Sequence, residues 1–435
     1  MKKETLSIGK IISVSLMLFA MFFGAGNMIF PPMLGHLGGE NFLQGIIGFV
    51  VTDAGLSVLG IAAIIFVGSH IDDLGKLIGP KFAVFLSLLV YLLIGPFFAL
   101  PRTGTVSYEM AVIPFLGDNA GLITSVIFTA VFFGLTYVLC MNPSRLVDIV
   151  GKILTPVLLL SIAVIFVMSV VNPVGEIGAA QGDYASIPFF KGMVEGYLAL
   201  DGFAALAFAI VVINAIQNLG VKEPQNIAKY TLVSGVFAAI ALAVVYLALG
   251  FVGAQTSASM SFENGGQLLT AVTYTLLGNG GRIVLGVAVL LACLTTSIGL
   301  ASAFADYVHE TFPKYSYKTV LTAVCLFSFL VSNVGLTLMI TFTLPALVMV
   351  YPPVTTLVLL AFLHKKIGNH PAPYALAMTG AFLVGIFDGL KTAGISLGAA
   401  AQVVERIPFF HLGLGWIVPA IIGCVLGMII SKMKK

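Results

Sequence analysis

Three consecutive hydroxyl residues, Thr295, Thr296 and Ser297, lie within a strongly apolar stretch of the chain. Side-chain hydroxyls and backbone carbonyls supply the oxygen ligands that hard cations prefer. A hydroxyl in an apolar helix also commonly donates to the carbonyl one turn earlier, so an ordinary structural role is the alternative. The three residues therefore predict a candidate cation site whose oxygen atoms do not titrate.

Two other apolar stretches are interrupted by residues that disfavour a continuous helix. Residues 24–27 read Gly-Ala-Gly-Asn and are followed by Pro31 and Pro32. In a later stretch the interruption is Asp201 with Gly202. Backbone that is unwound within a membrane must be buried in protein or line a cavity, and paired interruptions of this kind typically mark a transport site near the bilayer midplane. A kinked helix with glycines at a close helix contact is the alternative for the first interruption.

Two carboxylates, Asp53 and Asp201, fall inside apolar stretches, where an ionisable side chain is by default a functional-site hypothesis. Either residue could serve as a proton or charge site, and the alternative is a structural carboxylate with satisfied hydrogen bonds. The histidines lie in loops or at the ends of apolar stretches and do not pair at metal-ligand spacing, which argues against an intramembrane metalloenzyme. The chain also lacks a glycine-rich phosphate loop, which argues against ATP-driven chemistry.

The composition indicates a protein that is solvated mostly by lipid. Of 435 residues, 59% are hydrophobic and 9% are charged, whereas about a quarter are charged in soluble domains. A helix needs about 20 apolar residues to cross a bilayer, and stretches of this length recur along the chain. We therefore predict an all-α polytopic membrane protein of about twelve spans, near residues 8–31, 43–68, 82–113, 120–140, 147–171, 187–214, 229–253, 281–307, 319–335, 337–363, 373–389 and 414–431.

The distribution of lysine and arginine predicts the orientation of these spans. With both termini in the cytoplasm, only Arg282, Lys391 and Arg406 fall in loops on the outer side, as expected when positive charge is retained inside. A net charge of +3 then reflects topology and gives no reason to expect a nucleic-acid partner.

The two interruptions fall in the first and sixth spans, which cross the membrane in opposite directions. This arrangement is typical of a five-helix unit that is repeated with inverted topology. We predict one transmembrane transport domain over residues 1–435, with repeats at 8–171 and 187–363 and two additional helices at 373–431.

Three segments carry a resemblance to a known family: residues 24–31 (GAGNMIFP), residues 95–103 (GPFFALPRT), and residues 204–208 (AALAF) with 211–216 (VVINAI). With these motifs the chain resembles the branched-chain amino acid:cation symporters, the bacterial system II carriers for leucine, isoleucine and valine. The resemblance extends over the whole chain. It implies secondary active import through alternating access in the lipid bilayer of the bacterial cell membrane. It also implies no enzymatic activity, no cofactor beyond a coupling ion, and no obligate protein partner.

That family is expected to share the inverted-repeat fold of the bacterial leucine transporter of the neurotransmitter:sodium symporter family. Residues 292–298 match the sodium-binding motif on the eighth helix of that fold, and residues 24–27 match the break in its first helix. The resemblance implies a sodium ion held by the carbonyls of Ala20, Phe23 and Ala292 and the hydroxyls of Thr295 and Thr296. A second sodium site in that fold uses an asparagine on the seventh helix, which span seven does not contain.

A free amino acid is a zwitterion, so its carboxylate suits the positive end of a half-helix that begins near residues 24–27. Its ammonium group suits the carbonyls of residues 198–202, and its side chain suits apolar residues that the resemblance supplies. The expected substrate-binding residues are Gly24, Ala25, Gly26, Asn27, Tyr197, Leu198, Gly202, Phe203 and Leu300.

One methylene group changes binding in an apolar pocket by only about 1–3 kcal/mol, so leucine, isoleucine and valine are expected to share the site. The hydroxyl and carbonyl oxygens favour sodium over a proton as the coupling ion. Two alternatives stay open: a proton-coupled transporter of another small neutral amino acid, using Asp201 or Asp53, and an intramembrane enzyme.

Overall fold

The computed structural model describes residues 5–68, 70–141 and 154–433, which are helical and contain no β-strand within these ranges. In this part of the chain, nine segments are long and apolar enough to cross a membrane, and three further apolar helices are shorter. Each of the twelve predicted spans overlaps a helix, and residues 147–153 of the fifth predicted span lie outside the described ranges.

The helices are numbered here in chain order over the described residues. Those before residue 180 are α1 Ile8–Phe22, α2 Ala25–Gly38, α3 Phe42–Thr52, α4 Ala54–Val67, α5 Ile71–Lys76, α6 Pro80–Leu92, α7 Ala99–Ala111, α8 Ile113–Leu116, α9 Leu122–Cys140 and α10 Thr155–Val171. Those after it are α11 Pro188–Gly196, α12 Asp201–Asn218, α13 Pro224–Ala254, α14 Gly265–Leu277, α15 Asn279–Thr311, α16 Tyr317–Val331, α17 Leu336–Phe362, α18 His364–Ile367, α19 Pro371–Thr392, α20 Ala399–Val404 and α21 Ile417–Met433.

Local backbone features divide several of the predicted spans. A wide π-helical turn at Leu93–Phe97 separates α6 from α7, because Pro96 has no N–H to donate and Gly95 leaves the helical region. A 3-10 turn at Ser332–Val334 and Gly335, whose φ of 91° lies in the left-handed region, separate α16 from α17. The predicted ninth and tenth spans are therefore distinct helices, whereas α14 is a helix that the hydropathy pattern did not predict.

The chain forms two compact units, and the first comprises residues 1–58 and 91–337. Its helices pack through glycines at close backbone contacts. A Cβ atom on Gly35 of α2 would overlap the carbonyl of Gly250 on α13, and one on Gly48 of α3 would overlap the carbonyl of Phe189 on α11. Two further contacts of this kind join Gly253 to Pro32 and Gly192 to Gly45. Such small-residue interfaces bring helix backbones together in membranes without relying on the hydrophobic effect.

The second unit comprises residues 59–90 and 338–435. Within it, α19 and α21 also approach closely, because Gly423 lies against the carbonyl of Leu376 and Gly427 lies against Pro373. Beside this contact is a buried apolar cluster formed by Ala381, Val384, Val404, Phe410, Trp416 and Ala420.

Large apolar side chains cover the outer faces of the spans. On α9, for example, Leu122, Ile123 and Val131 are 67%, 75% and 66% exposed. A water-soluble surface rarely presents a continuous face of this kind, whereas lipid tails are a suitable solvent for it.

Candidate functional site

The first span is broken at Phe23 and Gly24, between α1 and α2. Gly24 has an extended backbone with φ −119° and ψ −154°, and its N–H donates to Oδ1 of Asn27 at 3.1 Å. The asparagine thereby satisfies one of the free N–H groups at the start of α2. The break meets the interruption predicted at residues 24–27 only at Gly24, because residues 25–27 form the first turn of α2, which also contains Pro31 and Pro32.

The sixth predicted span is broken between α11 and α12. A 3-10 turn at Tyr197–Ala199 follows α11, Leu200 has φ 77° in the left-handed region, and α12 begins at Asp201. A non-glycine residue in this region is strained and persists only where its surroundings hold it in place. Leu200 is buried, so packing fixes the change of direction just before Asp201.

Arg102 on α7 connects the two broken helices. Its guanidinium nitrogens Nη1 and Nη2 donate to the carbonyls of Leu198 and Ala199 at 2.9 and 3.1 Å. The same group lies 5.6 Å from the ring centroid of Phe30 on α2, a distance at which a cation is attracted to an aromatic face. Gly26 is also close, because a Cβ atom there would be 2.7 Å from Nη2 of Arg102.

Asp53 and Asp201, far apart in the sequence, belong to one buried polar cluster with Asn27 and Tyr246. The hydroxyl of Tyr246 is 2.5 Å from Oδ2 of Asp53 and 3.3 Å from Oδ2 of Asp201. Nδ2 of Asn27 donates to Oδ2 of Asp201 at 2.7 Å and also to the Tyr246 hydroxyl. Among the described residues, Oδ1 of Asp53 has no hydrogen-bond partner.

This cluster joins four elements: α2, the junction of α3 and α4, the start of α12, and α13. A tyrosine hydroxyl carries one hydrogen, so it donates to one carboxylate at a time. An unpaired buried charge is costly, and two buried carboxylates around one hydroxyl repel each other when both are ionised. A single proton bound between Asp53 and Asp201 removes that repulsion, which makes the cluster chemically able to take up and release a proton.

The hydroxyl residues of α15 face the end of α1. Oγ1 of Thr295 lies 2.9 Å from the carbonyl of Ala20 and 3.0 Å from that of Ala292. Oγ1 of Thr296 donates to the carbonyl of Met21 at 3.0 Å. Oγ1 of Thr295 also lies 2.9 Å from the carbonyl of Leu291, one turn earlier, so its single hydrogen has the ordinary helical acceptor as an alternative.

Four of the five residues implied as sodium ligands therefore lie together: the hydroxyls of Thr295 and Thr296 are within hydrogen-bond distance of the carbonyl of Ala20, and that of Thr295 also of the carbonyl of Ala292. Phe23 precedes Gly24, where a Cβ atom would be 2.7 Å from Oγ1 of Thr296. Ser297 points elsewhere, because its hydroxyl pairs with that of Thr136 on α9 at 2.9 Å.

A small cavity of about 20 Å³ lies between the two helix breaks, which is room for about one water molecule. Polar groups and apolar side chains share its wall. The lining residues include Gly24, Ala25, Gly26, Asn27, Ile94, Arg102, Thr103, Asp201, Thr296 and Leu300.

Of the nine residues expected to bind substrate, five line this cavity: Gly24, Ala25, Gly26, Asn27 and Leu300. The other four, Tyr197, Leu198, Gly202 and Phe203, lie beside lining residues of the sixth span but not on the wall itself. The carbonyl of Leu198, expected to meet the ammonium group, accepts instead from Arg102.

Two important residues were not among the expected site residues. Arg102 falls in the segment 95–103 that carries the family resemblance but was not singled out, although an arginine within an apolar segment is itself a signal of function. Tyr246 lies in the apolar helix α13, and a buried tyrosine hydroxyl normally requires a partner, which is the signal that could have found it.

Comparisons with known proteins agree over nearly the whole chain. The family model described as "Branched-chain amino acid transport protein" matches residues 7–434. A Bacillus subtilis protein named branched-chain amino acid permease BrnQ is 41% identical over 434 residues, which covers 99% of both chains. A Pseudomonas aeruginosa protein named branched-chain amino acid transport system 2 carrier protein is 39% identical, covering 97% of this chain and 96% of its own.

Two solved structures share the fold at low sequence identity. MHP1, a nucleobase-cation-symport-1 family transporter, matches with a TM-score of 0.62 and 16% identity, covering 97% of this chain and 92% of its own. MhsT, solved in complex with L-phenylalanine, matches with a TM-score of 0.56 and 15% identity, covering 96% of this chain and 98% of its own.

Proposed function

Because the chain belongs to the branched-chain amino acid transport protein family, we propose that it imports leucine, isoleucine and valine by cation symport through alternating access. The observation that carries this proposal is the pair of broken helices around one small cavity, with the α15 hydroxyls beside the first break. The family and the named relatives are transport proteins, so the enzyme alternative is set aside.

The substrate is proposed to bind in the cavity between the breaks. Its carboxylate faces the start of α2 and its side chain faces Leu300 and Ile94, which are apolar lining residues. The cavity has room for about one water molecule, so binding of an amino acid requires the surrounding helices to separate. This requirement supports a cycle in which the site opens to one side of the membrane at a time.

Sodium is the proposed coupling ion, held by the oxygens of Ala20, Phe23, Ala292, Thr295 and Thr296. These oxygens are uncharged and do not titrate, which suits a hard monovalent cation. One positive charge that crosses a potential of about 100 mV releases about 2.3 kcal/mol. At about 1.4 kcal/mol per tenfold step, that energy supports roughly 50-fold accumulation of a neutral substrate.

Proton coupling is the second candidate, and the cluster of Asn27, Asp53, Asp201 and Tyr246 favours it. Asp201 lines the substrate cavity, so a proton on the pair and a substrate in the cavity are close enough to influence each other. Arg102 lines the same cavity. This candidate extends to a proton-coupled carrier of another small neutral amino acid.

The proposed location is the bacterial plasma membrane, with both termini in the cytoplasm. The predicted inverted repeats at residues 8–171 and 187–363 and the two additional helices at 373–431 are part of this proposal. The orientation is tested by introducing single cysteines in the loops and near the termini and labelling them with a membrane-impermeant maleimide. Labelling of a cysteine near either terminus from outside would contradict the proposed orientation.

The deciding experiment is uptake of radiolabelled leucine into proteoliposomes, with sodium and proton gradients imposed separately at a fixed membrane potential. We expect uptake with an inward sodium gradient alone. Uptake with a proton gradient alone would assign coupling to Asp53 and Asp201. The absence of leucine uptake under both gradients, with protein correctly inserted, would contradict the substrate assignment.

A further inference from the structure

Arg102 is a buried charge in the interior of the first unit, with 6% of its surface exposed. It belongs to α7, in a helical segment that is apolar enough to cross a membrane. A charged side chain at membrane depth is expensive, and such residues commonly mark the path of a substrate or an ion. The position of this arginine therefore calls for a functional explanation.

The guanidinium donates to two neutral acceptors, the carbonyls of Leu198 and Ala199. Both carbonyls lie immediately before Leu200, where the sixth predicted span changes direction. A planar guanidinium offers a fork of parallel N–H groups that matches a carboxylate in shape and charge. Hydrogen bonds between two ionised groups are roughly twice as strong as those to neutral acceptors. A carboxylate in reach is therefore the better partner for this side chain.

Arg102 also reaches the cavity in which the substrate is proposed to bind. It lines that cavity together with Gly26 and Asp201, and a Cβ atom on Gly26 would lie 2.7 Å from Nη2. A zwitterion between the helix breaks brings a carboxylate beside the guanidinium. It also brings an ammonium group, which needs hydrogen-bond acceptors such as the carbonyls of Leu198 and Ala199 that now accept from Arg102.

Building on the proposed function, we propose that Arg102 binds the carboxylate of the transported amino acid. Its two terminal nitrogens leave the carbonyls of Leu198 and Ala199 and form a bidentate pair with the substrate. The two carbonyls then accept hydrogen bonds from the substrate ammonium group. The exchange gives the two terminal nitrogens and the two carbonyls new partners and places a negative charge against the buried guanidinium, so a ligand that lacks the carboxylate gains much less from it.

The test compares leucine with leucinamide, which keeps the side chain and the ammonium group but has no carboxylate. Affinities are measured on the purified full chain in detergent by competition against radiolabelled leucine, at about pH 6, where both amino groups are charged. The wild-type protein is expected to bind leucine about 10- to 100-fold more tightly than leucinamide, the range for a hydrogen bond to a charged group. A wild-type ratio near one overturns the inference.

The variant Arg102→Gln is expected to bring this ratio close to one, because leucine loses affinity and leucinamide does not. If Arg102 only holds the carbonyls of the broken helix, both ligands lose affinity equally and the ratio stays as in the wild type, which overturns the inference. Arg282→Gln is the matched control and should keep the wild-type ratio, because Arg282 stacks on Tyr274 away from the cavity.

The variant Arg102→Lys decides the question if the glutamine variant does not fold. It keeps the positive charge but loses the planar fork, so the ratio is expected to fall severalfold. An unchanged ratio overturns the inference. Failure of the proposed function is distinguishable, because the wild-type protein would then bind no leucine at all, whereas failure of the inference leaves leucine binding intact with an unaltered ratio in the variants.

Discussion

Replacing Tyr246 by phenylalanine removes one hydroxyl from the buried cluster and keeps the aromatic ring. Asp53 then loses the partner of Oδ2, while its Oδ1 has no hydrogen-bond partner among the described residues. A hydrogen bond to a charged group contributes about 1.5–3 kcal/mol, whereas hydrogen bonds between membrane helices average about 0.6 kcal/mol. We therefore expect Tyr246→Phe to lower the free energy of unfolding by about 2–3 kcal/mol.

Titration with sodium dodecyl sulfate in mild detergent measures this free energy. Tyr230→Phe is a suitable control, because Tyr230 is on the same helix and its hydroxyl accepts from the neutral N–H of Leu6 at 3.2 Å. We expect the control to cost about 0.6 kcal/mol. In the background of Asp53→Asn, which removes the charge, Tyr246→Phe should cost at least about 1 kcal/mol less. Additivity of the two substitutions within about 0.5 kcal/mol would refute the reasoning.

Two further substitutions test the cation site and the cavity. Truncation of Thr295 and Thr296 to alanine removes two of the five proposed sodium ligands, and we expect the sodium concentration for half-maximal leucine uptake to rise at least about tenfold. Gly26→Ala places a Cβ atom 2.7 Å from Nη2 of Arg102 and 3.1 Å from the backbone of Ala199. Since overpacking costs about 1–3 kcal/mol, we expect the KM for leucine uptake to rise about tenfold.

Each of these changes has a matched control. Thr322→Ala removes a hydroxyl on α16 that donates only one turn back, to the carbonyl of Lys318 at 2.8 Å, and should leave sodium activation unchanged. Gly9→Ala adds a Cβ atom with nothing within 4 Å and should leave KM unchanged. Unaltered sodium activation in a double threonine variant that reaches the membrane would contradict the proposed cation site. An unaltered KM in Gly26→Ala would show that the cavity wall accommodates the added methyl group without loss of substrate binding.

Much of the fold was predictable because the bilayer imposes a simple length rule. Apolar stretches of sufficient length became helices, and the all-α architecture and the family resemblance carried by residues 24–31 are confirmed. The two interruptions were predictable to within a few residues. Pro31 and Pro32 lie inside α2, and Asp201 and Gly202 begin α12, so the second break precedes them, at Tyr197–Ala199 and Leu200. The π-helical turn at Leu93–Phe97 was not predicted, although Gly95 and Pro96, the residues that produce it, stand next to each other in the sequence.

The candidate site was predictable at the level of helices and less so at the level of contacts. Asn27 and Asp201 both came from the sequence, but their hydrogen bond spans 174 positions, and no local pattern contains it. The orientation of Tyr197 and Phe203 depends on the left-handed backbone of Leu200, which the residue type itself disfavours. Side chains around such a break point in directions that helical periodicity does not describe.

The backbone contacts of α2 and α3 also bear on how motion passes through the first unit. At Gly35 and Gly48, each helix rests on a carbonyl of its neighbour, without a side chain between them that could change rotamer and absorb a displacement. A displacement of α2 is therefore transmitted directly to α13 through this backbone contact. The start of α2 lines the cavity, so a push from an arriving ligand moves a block of helices, and bending is left to Phe23 and Gly24, where hydrogen bonding along the helix is already interrupted.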